Sequence, residues 1–132
     1  MDKQFSISHF AQAYNITTRT IRFYESEGLL HPTRKGQTRI YSEQDRVHLK
    51  LILRGKRLGF SLAESKELIS LYDPTTTNKK QLRRFMEKIE ERRTTLKQQM
   101  EDIKVMQVEL DQAELRCKNA LFASPSENTL TD

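Results

Sequence analysis

Thr17-Thr18-Arg19-Thr20-Ile21-Arg22-Phe23-Tyr24-Glu25-Ser26-Glu27-Gly28-Leu29-Leu30 is the stretch on which the fold turns. Thr17 has the side chain of a helix N-cap, and Gly28 supplies a left-handed stop, so the segment reads as a short helix. A helix that enters the major groove needs a small polar start, basic side chains outside and an apolar face against a scaffold. On this reading Ile21 and Phe23 face inward, while Thr18, Arg19, Arg22 and Tyr24 stay free for phosphates and base edges. The plainer alternative is an amphipathic surface helix with solvated arginines.

The flanks narrow the choice. Leu29-Leu30-His31-Pro32-Thr33-Arg34-Lys35-Gly36-Gln37-Thr38-Arg39-Ile40-Tyr41-Ser42 reads as a β-hairpin wing, with Pro32 at its edge and Gly36-Gln37 as the turn. Arg34, Lys35 and Arg39 crowd its tip. Upstream, Ile7, Phe10, Ala11 and Tyr14 recur at helical spacing, predicting a helix capped by Ser6 or Ser8 and ended by Asn15, which tolerates the left-handed turn. Downstream, Ser42 and Asp45 start a third helix carrying Val47, Leu49, Leu51, Ile52 and Leu53, with Arg46, Lys50 and Arg54 outside. Leu58-Gly59-Phe60 turns the chain, and Ser61 caps a fourth helix bearing Leu62, Leu68, Ile69 and Tyr72.

Ile7-Ser8-His9-Phe10-Ala11, Thr20-Ile21-Arg22-Phe23-Tyr24-Glu25, Arg39-Ile40-Tyr41-Ser42 and Leu58-Gly59-Phe60-Ser61-Leu62 together resemble the MerR family of bacterial transcription regulators. The resemblance implies a mainly α protein, with a winged helix-turn-helix over residues 1–72 and a long antiparallel coiled-coil dimerisation helix behind it. It also implies that Gly55-Lys56-Arg57-Leu58-Gly59 forms a second wing on the phosphate backbone, through Lys56 and Arg57. Arg22 and Arg19 are expected at base edges and the adjacent phosphate, with Thr18 and Tyr24 beside them. Arg39 and Arg34 are expected to hold the wing on the backbone. Tyr41 either joins them through its hydroxyl or packs beneath the wing. Glu25 is expected to brace Arg39, since a carboxylate facing phosphate is repelled. Ser65 stands where the family usually has an apolar residue, predicting looser packing of the fourth helix.

Charge is segregated along the chain. Residues 1–72 hold 12 of the 23 Lys and Arg and 7 of the 18 Asp and Glu, whereas residues 73–132 hold 11 of each. The whole net charge of +5 therefore lies with the candidate DNA-binding motifs, as a polyanionic partner requires. No apolar run reaches the roughly 18 residues of a membrane span, and Met1-Asp2-Lys3-Gln4-Phe5 lacks a secretory core, so a cytoplasmic protein is expected. A single cysteine excludes an intrachain disulfide and a zinc finger. His9, His31 and His48 are scattered and no phosphate-binding glycine loop occurs, which argues against an enzyme and for neither cofactor nor metal.

Asp73-Pro74-Thr75-Thr76-Thr77-Asn78 opposes helix and reads as a linker over residues 73–78. From Lys79, apolar residues recur every seven positions at Leu82, Ile89, Leu96, Ile103, Leu110 and Cys117, with Phe85, Arg92, Gln99, Met106, Ala113 and Ala120 between them. A helix over residues 79–120 is about 63 Å long at 1.5 Å per residue, too long to bury that stripe on so small a domain. A homodimer is expected, held by Leu82, Phe85, Ile89, Leu96, Ile103, Met106 and Leu110, with a disordered tail over residues 121–132. The resemblance implies an antiparallel pair that bends double-stranded promoter DNA with an overlong spacer so that RNA polymerase engages both elements. Asp73-Pro74, Asn78-Lys79-Lys80-Gln81-Leu82 and Ala113-Glu114-Leu115-Arg116-Cys117 are similar to family members that control leucine, isovalerate and acyl-CoA catabolism, implying an acyl-CoA-like small-molecule effector. Cys117 continues the apolar heptad, where cysteine acts as a small hydrophobe. The alternative makes it an electrophile or oxidant sensor between Arg116 and Lys118. A non-specific architectural DNA-binding protein is the rival to a regulator, and operator discrimination separates them.

Overall fold

The computed structural model describes residues 3–123. In chain order the elements are β1 (Gln4–Phe5), α1 (Ile7–Tyr14), α2 (Thr18–Ser26), β2 (Thr33–Lys35), β3 (Thr38–Ser42), α3 (Glu43–Arg57), α4 (Leu62–Ser70) and α5 (Lys79–Phe122). Each short helix begins at the cap its sequence offers. Of the two serines open for α1, Ser6 caps it, accepting from the His9 backbone N–H at 3.0 Å. Ser42 with Asp45 and Ser61 with Glu64 form reciprocal capping boxes at α3 and α4. Asn15 ends α1 in the left-handed conformation, with φ of 53°.

The sheet is antiparallel, in the order β1-β3-β2. β2 and β3 are the expected wing, registered Thr33 to Ile40 and Lys35 to Thr38. The sequence reading lacked β1, which pairs Gln4 with Ser42 and Phe5 with Tyr41. Two residues carry no detectable alternation, but Phe5 stacks on Phe10 at 5.4 Å and so ties the N-terminal segment to the core. That core gathers Phe10, Ile21, Leu29, Leu30, Tyr41, Leu49 and Ile52, all buried. It joins α1, α2, the base of the wing and α3, and so holds recognition helix and wing to one scaffold.

The loose packing expected at Ser65 is not what the structure shows. Ser65 is buried and faces Gly55 on α3, where an added Cβ would lie 2.8 Å from the serine Oγ. Two small residues bring the helices together, so Ser65 is a close-packing position rather than a weak one.

The chain divides into two compact units, one reaching Glu87 and one starting at Lys88. The N-terminal unit therefore runs past the turn at 73–78 and takes in the first turns of α5. Gln81 is buried and its Nε2 donates to the Leu68 carbonyl at 2.8 Å. Arg84 Nε donates to Glu67 at 2.6 Å. Phe85 meets Phe60 edge-on at 5.7 Å. Phe85, expected at a dimer seam, thus packs within its own chain, because the sequence period cannot tell an intrachain groove from a second helix. The C-terminal unit is the rest of α5, helical to Phe122 and so two residues beyond the expected end at 120. Of the expected tail, residues 124–132 lie outside the described residues.

Candidate nucleic-acid interface

The candidate interface is built on α2. Thr17 accepts from the Thr20 backbone N–H at 3.1 Å, and Gly28, with φ of 76°, closes the helix. The Leu29 N–H then bonds to the Tyr24 carbonyl at 3.0 Å, which sends Leu29 and Leu30 into the core. Arg19 and Arg22 are exposed and Thr18 is half-buried.

The inward face differs from the sequence reading. Tyr24 is 5% exposed and Phe23 is 48% exposed, so the two neighbours exchange the roles expected of them. Ile21 and Tyr24 are three apart and share a helix face, whereas Ile21 and Phe23 are two apart and cannot. Tyr24 is thereby removed from the candidate contacts, and burial raises its pKa. Phe23 becomes an exposed aromatic on the recognition helix. It lines a groove of about 530 Å³ together with Tyr24, Ile52, Phe60, Arg19 and Lys56. The expected second-wing residue Lys56 thus shares a groove with Arg19 of α2.

The wing is fixed to α2 through one carboxylate. Glu25 Oε2 accepts from Arg39 Nε at 2.8 Å and from the Tyr41 hydroxyl at 3.2 Å. Its other oxygen lies 3.5 Å from Arg34 Nη2. Glu25 braces Arg39, as expected. Tyr41 is fully buried, so of its two readings packing beneath the wing holds and a contact with DNA does not. Its pKa is raised, chiefly by burial and then by Glu25, so the phenol stays a donor at any physiological pH. Arg34 remains half exposed and Lys35 exposed at the wing tip, available to a backbone.

A third patch was only partly anticipated. Lys50, Arg54, Lys56 and Arg57 line a depression of about 490 Å³ beside Tyr14 and Asn15 at the end of α1. Lys50 and Arg54 had been assigned to the outer face of α3 without a role. The signal that groups them is the spacing of 50, 54 and 57, which puts three cations on one helix face. Arg54, Lys56 and Arg57 also occupy the last turn of α3, where the helix dipole favours positive charge. Among the described residues no group of three or more His, Cys, Asp or Glu is placed to hold a metal, and no helix is long and apolar enough to cross a membrane.

Exposed cations on α2, the wing and the end of α3, set on a rigid core, suit contact with a polyanionic duplex. Comparison with known proteins agrees. Residues 5–71 match the model of the MerR HTH family regulatory protein, and residues 46–113 match that of the MerR DNA-binding region. The HTH-type transcriptional regulator CueR of Escherichia coli O6:H1 is 33% identical over 108 residues, which span 80% of this chain and 77% of that protein. The mercuric resistance operon regulatory protein of Shigella flexneri is 44% identical over 72 residues, 53% of this chain and half of that protein. Among solved structures, a MerR family transcriptional regulator from Bacillus cereus superposes with a TM-score of 0.65 at 25% identity, covering 94% of this chain and 90% of that one. These relatives are regulators rather than enzymes, and with the capped helix, the braced wing and the basic third patch they show that this chain belongs to the MerR family of DNA-binding, helix-turn-helix transcriptional regulators.

Proposed function

We propose that this regulator works as a homodimer on double-stranded promoter DNA, presenting α2 of each copy to successive major grooves of a pseudopalindromic operator. The observation that carries the reading is the exposed pair Arg19 and Arg22 on a helix whose cap, stop and inner face are all satisfied. Arg22 reads base edges and Arg19 the adjacent phosphate, with Thr18 beside them. Arg34 and Lys56 with Arg57 hold the two wings on the backbone, and Arg39 positions the first wing through Glu25. Seam residues from Leu82 to Leu110 pair the two copies antiparallel. By family resemblance, the dimer acts on a promoter with an overlong spacer and deforms it for RNA polymerase.

Binding titrations on operator and random duplexes test these roles. Arg22→Ala is expected to lose about 1–3 kcal/mol on the operator and to relax specificity, whereas Arg34→Ala weakens all duplexes alike and reduces the salt slope by about one. Equal binding of the unmodified protein to every duplex favours an architectural role instead.

For the signal, we favour a small-molecule effector of acyl-CoA-like chemistry and a regulon of branched-chain amino-acid or fatty-acid catabolism, on the resemblance of the linker and coil. Retention of operator binding and promoter output on adding acyl-CoA thioesters would count against it. A thiol-based signal is the second reading, favoured by the exposure of Cys117. It requires Cys117→Ser to keep DNA binding and lose induction by electrophiles.

A further inference from the structure

The outer surface of α2 carries an aromatic ring beside its arginines. Arg19 lies three residues before Arg22 and four before Phe23, so the three side chains form one contiguous patch on the helix. All three are exposed. The arginines have roles in the proposed reading, and the ring has none. Before Leu82, the large apolar side chains left exposed among the described residues are Phe23 and Leu58, at 48% and 43%. One stands on the recognition helix and the other at the turn after α3, where the second wing is expected. An exposed apolar side chain placed among cations on a binding surface asks for an apolar group on the partner.

Phe23 is packed on one side only. Its ring meets that of Tyr24 at 5.9 Å, inclined by 53°, and lines the groove that it shares with Ile52 and Phe60. Arg19 and Lys56 line the same groove, so cations accompany the ring. The Ser26 hydroxyl, one turn further along, donates to the Phe23 carbonyl at 2.7 Å and is thus engaged within its own helix. Phosphates suit the cations and not the phenyl, since an anion set against an apolar ring loses water without gaining a partner. Within the major groove the apolar substituent on offer is the C5-methyl group of thymine.

We propose that Phe23 reads a thymine methyl in the major groove and so determines operator specificity together with Arg22. The inference rests on the proposed reading of α2 as the helix that enters the groove. A duplex seated on Arg19 and Arg22 also covers the ring beside them, so the occupant is the DNA itself. Arg22 and Phe23 diverge by about 100° around the helix, with the direction of Arg19 between them. Phe23 leans toward Lys56, with which it shares the groove. The methyl therefore belongs to a base on the second-wing side of Arg19, away from the pair that Arg22 reads. Contact removes apolar surface of both ring and methyl from water, a gain that a base without the methyl cannot match.

Selection by the full chain from a pool of random duplexes supplies the probe. Each thymine of the enriched sequence is then replaced singly by deoxyuridine, which keeps the base pair and removes only the methyl. At one position of a half-site, uracil is expected to weaken binding about fourfold, the worth of one buried methyl group. Phe23→Ala weakens binding to the thymine duplex and is indifferent to that uracil. Phe23→Leu, which keeps an apolar surface, retains part of the preference, and far-UV circular dichroism with urea unfolding establishes that each variant is folded. An unmodified protein indifferent to every uracil, an enriched sequence without thymine, or a uracil effect that persists in full in Phe23→Ala overturns the proposal. Failure of the underlying reading looks different. With α2 outside the groove, Arg22→Ala keeps the preference for the selected duplex over random ones, whereas failure of the methyl contact alone leaves Arg22→Ala with its loss of specificity. A pool that yields no enriched sequence overturns both.

Discussion

Up to Glu87 the chain has a buried apolar core, with Phe10, Ile21 and Tyr41 at 0% exposure, while further along α5 Leu96, Ile103 and Leu110 are each more than half exposed. The two regions have comparable shares of apolar residues and differ in how these are spaced. In the N-terminal unit, short helices and a hairpin fold the apolar positions onto one another, so its stability is local. In the coil the apolar positions lie along a single helix, which has no core of its own, so under the proposed pairing of copies its stability varies with concentration. On that proposal a regulator gains from the division, since the surface that reads DNA stays formed whether or not two copies are paired. All four tyrosines, at 14, 24, 41 and 72, lie before Glu87 and there is no tryptophan. Tyrosine fluorescence therefore follows the first region alone, and circular dichroism follows both.

The strongest way to break the contrast is to truncate each kind of apolar residue in turn. Phe10→Ala is expected to cost the tyrosine-monitored transition about 3–5 kcal/mol in urea, because Phe10 contacts Phe5, Tyr14 and Tyr41 rings at 5.4, 6.0 and 5.0 Å and little can collapse into the gap. Leu96→Ala is expected to leave that transition within about 0.5 kcal/mol and to shift only the concentration at which chains associate. A loss of several kcal/mol from the Leu96 variant in the tyrosine signal would show that the first region leans on the coil.

Tyr41→Phe sharpens the account of the wing. It keeps the ring and removes the hydroxyl that donates to Glu25 at 3.2 Å, so a loss of about 1.5–3 kcal/mol is expected, the range for hydrogen bonds to a charged group. Operator affinity should fall less than it does for Arg22→Ala, since the phenol is buried away from the duplex. A loss of base specificity as large as that of Arg22→Ala would return Tyr41 to the list of DNA contacts.

Much of this was legible from the residues. Caps at Thr17, Ser42 and Ser61, stops at Asn15 and Gly28, and the turn at Gly36 each follow from local hydrogen bonding or from a left-handed backbone position, and local rules act within a few residues. The exposed arginines of α2 were legible for the same reason, whereas the bracing of Arg39 by Glu25, fourteen residues apart, was legible from charge alone, because a carboxylate is repelled by phosphate. What escaped depends on distant partners that carry no charge to announce them. β1 exists only because Tyr41 and Ser42 lie alongside it. Ser65 becomes a packing residue only because Gly55 faces it. Phe85 was assigned to a seam because its heptad position is identical whether Phe60 or another chain covers it. The exchange of Phe23 and Tyr24 is a different kind of miss, since helical spacing alone contradicts two inward residues two apart.

Gly55→Ala probes the close contact of α3 and α4, with a smaller effect. Alanine is worth about 1 kcal/mol more than glycine within a helix, but its Cβ would lie 2.8 Å from Ser65 Oγ and 3.5 Å from the Phe60 ring. The serine is buried and has little room to turn aside, so a net loss of about 1 kcal/mol is expected. Removing the oxygen tests the cause: Gly55→Ala with Ser65→Ala should recover the loss and approach the helix-propensity gain. A double variant no better than the single one would place the constraint in the backbones rather than the side chains.

The least effect at neutral pH is expected at His48, and it appears only on acidification. His48 is 7% exposed and meets the Tyr72 ring edge-on at 6.0 Å. Neither ring nitrogen has a partner in hydrogen-bonding geometry. Burial lowers its pKa below the usual value, a shift partly offset by the Leu29 backbone and Asp45. The unfolded chain therefore takes up the proton first. Stability attributable to this group is complete above about pH 6.5, the unfolded histidine value, and falls as the pH drops from there through the folded pKa, with a slope of at most about 1.4 kcal/mol per pH unit for one proton. His48→Gln should flatten that part of the tyrosine-monitored stability curve, while His9→Gln, on the exposed face of α1, should leave it unchanged. If both variants keep the acid slope, the protons are bound elsewhere than at the imidazole in the core of the N-terminal unit.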